Sequence, residues 1–177
     1  MRAIPISHGG CTDEFGYGRF LWTTKIEDEW IRSLEMQRPD LIGKLSVRRD
    51  CMRDAIPDWE VSEPVWTSIV HGINLPDPDD VHVLAAAIVG HADCIVTSIL
   101  KDFPSSALRK YGIEAIDPDT FIINQWDLDP VKAIAAFKRM RARRKQLQSS
   151  PEDFAYALEI GGLPITAERL RAAAELI

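Results

Sequence analysis

"LPDPDDVHVLAAAIVGHADCIVTSILKDFP", residues 75–104, decides how the chain is read. Three carboxylates, Asp77, Asp79 and Asp80, fall within four positions at the head of an apolar, alanine-rich run. Asp77 is a good N-cap, Pro78 suits the first helical position, and Asp79 and Asp80 suit the positive end of a helix dipole. The stretch predicts a helix from 77 to about 89. "DCIVTS" (93–98) is compact and apolar and predicts a buried strand, with Asp102 following it. "PSSALRKYG" predicts a short helix closed by Gly112, and "IEAI" (113–116) another strand. This alternation predicts an α/β fold with a central parallel sheet flanked by helices. Ligands of such sheets bind beyond the C-terminal ends of the strands.

Upstream, "RFLWT" (19–23) predicts a short strand. In "TKIEDEWIRSLEMQ", Ile26, Trp30 and Leu34 recur at i, i+4 and i+8, which predicts a helix capped by Thr23 or Thr24. A second helix is expected over 39–57, a short strand near Trp59–Val61, and a loop over 62–76 with at most one helical turn. Residues 1–18 hold four glycines and no period, and read as irregular. Beyond Pro118 everything reads helical, at about 118–126, 130–148, 151–161 and 166–176.

The 177 residues suffice for one domain with an appendage, and 46% apolar with 27% charged residues is ordinary for a soluble protein. A net charge of −6 argues against a chain that coats itself in nucleic acid. The charge is uneven, however. Residues 130–151 hold seven Lys or Arg and no acid, which leaves 14 cations against 27 carboxylates elsewhere, a balance of −13. Cys11, Cys51 and Cys94 are odd in number and lack metal-ligand spacing, so they read as free thiols of a reducing cytoplasm. No signal peptide and no membrane span is expected.

The carboxylates at 77–80 have two readings. As caps they contribute about 1 kcal/mol each. As part of a wider set they suit a hard cation such as Mg²⁺ or Mn²⁺, which takes oxygen ligands. Glu29 lies beside Trp30 on the earlier helix, and an α/β fold can bring Glu29, Asp80 and Asp102 to one sheet edge. Taken singly, Glu29 is a solvated helix residue and Asp102 a cap for the helix near Pro104. His82 and His91 read as structural or surface residues.

The 75–104 block resembles the PIN-domain family, in particular its toxin-like bacterial ribonuclease branch. "WTTKIEDEWIRSL" resembles that family's acidic helix, and "YGIEAIDPDTFI" fits the segment after its last acidic motif. The resemblance covers roughly residues 19–125. It divides the chain into an irregular segment (1–18), an N-terminally incomplete PIN-like domain (19–125), and a helical extension with a basic helix (126–177). The resemblance implies a three-layer fold around a parallel sheet. It also implies an Mg²⁺- or Mn²⁺-dependent endoribonuclease that cuts single-stranded RNA and serves as the toxin of a toxin–antitoxin pair, often as a homodimer. Residue by residue, it assigns metal binding to Glu29, Asp77, Asp80 and Asp102, catalysis to Glu29, Asp80 and Asp102, and a supporting hydroxyl to Thr97.

Two features depart from the family. Its first strand, which ends in an Asp, has no counterpart before Arg19, where Asp13 is the only earlier Asp. This departure leads to the expectation of a truncated or frame-disrupted member, since Pro5 makes residues 2–6 a weak substitute for a central strand. Ile99 also stands where the family often has an Asn or Asp. The missing acid favours a second reading, a catalytically impaired protein that binds RNA or an antitoxin. A phosphoacceptor receiver is disfavoured because the acids open a helix instead of following a first strand. "KRMRARRK" (138–145) supplies Lys138, Arg139, Arg141, Arg143, Arg144 and Lys145 as candidates for RNA phosphate contact. The same residues equally suit a solvated helix end or a face docked on the acidic body.

Overall fold

The computed structural model describes residues 4–7 (backbone only), 19–143 and 150–177. The chain forms two compact units, Met1–Ile116 and Asp117–Ile177.

The first unit carries a four-stranded sheet in the order β2-β1-β3-β4, with β1 Ile4–Ser7, β2 Arg19–Phe20, β3 Cys94–Val96 and β4 Glu114–Ile116. The expected parallel pairing is present between β3 and β4. β1 runs antiparallel to both β2 and β3, so the sheet is mixed. This corrects the irregular reading of residues 1–18, of which Ile4–Ser7 form a strand. Pro5 has no N–H for a ladder, but among the described residues β2 pairs only with Ile6 and Ser7. At Pro5, opposite Ile95, β1 is therefore locally an edge strand, where proline is tolerated.

α1 (Thr24–Gln37) starts as its sequence predicts, with the Thr23 hydroxyl accepting from Ile26 N at 3.1 Å. The single helix expected over 39–57 is broken. Gly43 takes φ +73, a left-handed conformation, and separates a 3-10 turn (Pro39–Leu41) from α2 (Ser46–Ala55). The segment 62–76 holds more helix than expected, α3 (Glu63–Thr67) and a 3-10 turn at Val70–Gly72. Trp22 forms a parallel bridge with Glu60, where the short strand near 59–61 was expected.

The predicted helix at 77–89 is a 3-10 turn (Pro78–Asp80) running into α4 (Val81–Val89). Its run of small residues is buried outright: Leu84, Ala85, Ala86 and Ala87 are all 0% exposed. Alanines there let the helix lie close to the sheet. At its end, a Cβ on Gly90 would meet Leu21 Cδ1 at 2.5 Å, so the close approach requires glycine. One apolar cluster joins Trp22, Ile26 and Trp59 to Leu84, Ile95, Phe103 and Leu108, with the Trp22 and Trp59 rings stacked 5.0 Å apart. α5 (Ser105–Leu108) follows β3.

Among the described residues, the second unit is four helices: α6 Pro118–Leu128, α7 Pro130–Ala142, α8 Pro151–Ile160 and α9 Pro164–Ala172. Each has proline at its first position, where the missing N–H costs nothing. Asp117, Asp129 and Ser150 cap the first three through side-chain oxygens. Leu163 cannot cap α9. Asp119, reaching over from α6, accepts from Ile165 N (2.7 Å), Thr166 N (2.9 Å) and Thr166 Oγ1 (2.6 Å) instead. Trp126, Phe137, Phe154 and Leu170 fill the core between the helices. No helix among the described residues is long and apolar enough to cross a membrane.

Candidate metal centre

Asp77, Asp80 and Asp102 converge. Each offers a carboxylate oxygen, and the three oxygens lie within 4.8 Å of one another. The local folding that places them is simple. Asp77 precedes the 3-10 turn and accepts from Asp79 N at 2.9 Å, so it is the N-cap the sequence predicts. A carboxylate accepts up to about four hydrogen bonds, so capping leaves Asp77 capacity for a further partner. Asp80 stands at the start of α4, is 2% exposed, and makes no capping bond there. Capping therefore accounts for Asp77 and does not account for Asp80.

Asp102 is placed from β3. The Thr97 hydroxyl accepts from Ile99 N at 3.1 Å, and Ile99 O accepts from Asp102 N at 3.1 Å. Two bonds thus link the strand end to the 3-10 turn Leu100–Asp102. α5, which starts three residues further, has Pro104 as N-cap and no side-chain cap, so Asp102 does not serve that helix. Thr97 is 1% exposed and fixes this turn from within.

Glu29 is not in the three-carboxylate group. It lies beside His82, with Nε2 3.4 Å from Oε2, while His82 Nδ1 sits 2.7 Å from Asp79 O. His82, expected to be structural or on the surface, is 3% exposed and links α1 to the turn that carries the acids. His91 is exposed, with φ +52. No local pattern marks the role of Glu27, which is 1% exposed. Its carboxylate accepts from Trp22 Nε1 (2.9 Å) and from Arg53 Nε (3.0 Å) and pairs also with Arg53 Nη2. Glu27 thereby pushes the Arg53 guanidinium further above its usual value, and Arg53 also lies over the Trp59 ring. This network holds α1 and α2 together.

A hard divalent cation fits the donor set. Three carboxylate oxygens within 4.8 Å of one another are the hard oxygen donors that such an ion takes, and Asp77, Asp80 and Asp102 would be the residues to hold it. Left to themselves at that separation, each charged pair repels by about 3 kcal/mol at an effective dielectric of 20, and by less where solvent reaches Asp77 and Asp102.

Of the basic candidates, Lys138, Arg139 and Arg143 are exposed and Arg141 is half-buried. They lie at the end of α7, whose Phe137 turns into the core. Arg144 and Lys145 lie outside the described residues, as do Cys11 and Asp13.

Residues 118–172 match the family model described as the VapC50 C-terminal domain, a span that falls within the four-helix unit. A 49-residue stretch is 53% identical to the protein named "Putative ribonuclease VapC50" of Mycobacterium tuberculosis (strain ATCC 25618 / H37Rv). It covers 28% of this chain and 29% of that relative, so the likeness spans less than a third of either. No solved structure matches the chain. The family-model match thus covers helices α6 to α9 and leaves the residues of the carboxylate group outside it.

Proposed function

We propose that the chain is a PIN-type, divalent-metal-dependent endoribonuclease that cuts single-stranded RNA, the toxin of a toxin–antitoxin pair. The observation that carries this reading is the convergence of Asp77, Asp80 and Asp102. The name of the VapC50 relative, a ribonuclease, supports it. Asp77, Asp80 and Asp102 would hold the ion, and Mg²⁺ or Mn²⁺ there would supply Lewis-acid chemistry for phosphodiester cleavage. Thr97 is a positioning residue, acting on Asp102 through the Ile99 turn. Glu29 acts from beside the cluster, through His82 and the Asp79 carbonyl. Lys138, Arg139, Arg141 and Arg143 offer phosphate contacts whose strength would fall steeply with salt. An antitoxin protein is the partner that goes with this reading.

One observation favours a second reading, an impaired nuclease that still binds RNA or an antitoxin: Glu29 pairs with His82 and is not in the carboxylate group. Cleavage of a labelled single-stranded RNA separates the two. The nuclease reading expects cutting with Mn²⁺, none with EDTA, and none by Asp80→Asn. A folded wild-type chain that leaves the RNA intact in Mn²⁺ refutes it.

A further inference from the structure

An open groove of about 490 Å³ is lined by Asn74, Leu75 and Pro76 from one segment and by Pro104, Ser106, Ala107 and Lys110 from another. Both walls continue segments that carry the acids. Pro76 immediately precedes Asp77, and Pro104 stands two residues after Asp102. Consecutive Cα atoms are about 3.8 Å apart, so the backbone that carries Asp77 and Asp102 is continuous with the two segments that line the groove. Its volume suits one small-molecule-sized unit and is far too small for a duplex.

The lining has a mixed chemistry. Leu75 is buried and, with Pro76, Pro104 and Ala107, gives an apolar floor and walls. Asn74 offers an amide with two donors and an acceptor, and Ser106 offers a hydroxyl. Lys110 is the cation of the lining, with its ammonium 4.7 Å from the centre of the Tyr111 ring. A polyanion approaching three carboxylates is repelled, so a subsite next to them needs a cation of its own. An apolar slot with hydrogen-bonding edges and one cation matches a nucleotide: a base for the slot, base edges for Asn74 and Ser106, a phosphate for Lys110.

We propose that this groove is the subsite for the nucleotide next to the scissile phosphodiester of single-stranded RNA, with Lys110 pairing its phosphate. The assignment rests on the nuclease reading for its substrate class and adds where that substrate is held.

The test separates binding from cutting. Binding of a short labelled single-stranded RNA is followed by fluorescence anisotropy in EDTA across a salt series, for the wild-type chain, Lys110→Glu and Ser106→Trp. Both positions are exposed, so both variants are expected to melt as the wild type does. Ser106→Trp fills the groove and is expected to raise Kd roughly tenfold with the salt slope unchanged. Lys110→Glu is expected to raise Kd similarly and to lower the slope of log K against log salt by about 0.7, the share of one phosphate contact on a single strand. A merely structural Lys110 would leave that slope alone. Wild-type affinity and slope in both variants, or no RNA binding by the wild-type chain, overturn the subsite. Cleavage in Mn²⁺ is read in parallel. RNA that binds through the groove but is not cut leaves the subsite standing and removes the nuclease. RNA that is cut while both variants bind normally does the reverse.

Discussion

Asp77 has two roles, and two substitutions separate them. It caps the turn before α4 through Oδ1 and belongs to the three-carboxylate group. Asparagine caps a helix about as well as aspartate, whereas alanine loses the cap at about 1 kcal/mol. Asp77→Asn therefore keeps the cap and removes the charge, and Asp77→Ala removes both. In EDTA, Asp77→Asn is expected to melt at or slightly above the wild type, because one repelling carboxylate is gone. Asp77→Ala is expected to melt about 2–4 °C below Asp77→Asn, the shift that 1 kcal/mol makes in a chain of this size.

With Mn²⁺ at a hundred times its Kd, binding adds about 2.7 kcal/mol to the wild type, or roughly 5–10 °C. Neither variant is expected to show that rise in full, and the cap should make no difference to its loss. Thermal melts of the three proteins, with and without Mn²⁺, read both effects. If Asp77→Asn keeps the whole Mn²⁺ shift, Asp77 is no ligand. If the two variants melt together in EDTA, the cap contributes nothing. Either result breaks the reasoning, and each breaks a different half of it.

Two further predictions concern parts away from the acids. Asp119→Ala leaves Ile165 N, Thr166 N and Thr166 Oγ1 without their acceptor, with Thr166 fully buried. At about 1–3 kcal/mol for each group so orphaned, the loss is expected to reach about 3 kcal/mol in urea denaturation, with Asp119→Asn losing less; a loss under about 0.5 kcal/mol refutes the cap across helices. Burial, with Glu114 and Asp93 adding to it, pushes the Cys94 thiol from 9.0 up to about 11. A raised folded-state value means that its stabilising share is complete below pH 9 and is lost as pH rises through 11. Iodoacetamide at pH 8 is expected to label exposed Cys51 and to spare Cys94 until the chain is denatured, which mass spectrometry of the digested protein reads directly.

The parts of the fold that were legible are those specified by neighbours in sequence. Thr23 acts on an amide three residues on, and the 77–80 acids sit at the head of their own helix. The run "VLAAA" marks an apolar helix in the sequence, and in the structure its small side chains let that helix lie close to the sheet. β1 was hidden because Pro5 is a poor strand residue by propensity. What admits it is the reach of β2, which covers only Ile6 and Ser7, and no local pattern encodes that reach.

Partner choice was hidden for the same physical reason. Glu27 and Glu29 are two positions apart on α1, and the sequence reading singled out Glu29 for a metal site. The fold gives Glu27 to Arg53, 26 residues away, and Glu29 to His82. Asp119 finds Thr166 across 47 positions. A buried carboxylate must be matched by donors or a cation, because its desolvation is costly. Sequence shows the need for a match and not which group meets it. The fold assigns Glu27 to Arg53 and Asp119 to the start of α9, and in doing so removes both from the pool of possible metal ligands. Asp80 is the buried member of the three-carboxylate group, with Asp77 and Asp102 half-buried. Asp80→Asn is therefore the substitution that alters the group's charge at its least solvated point.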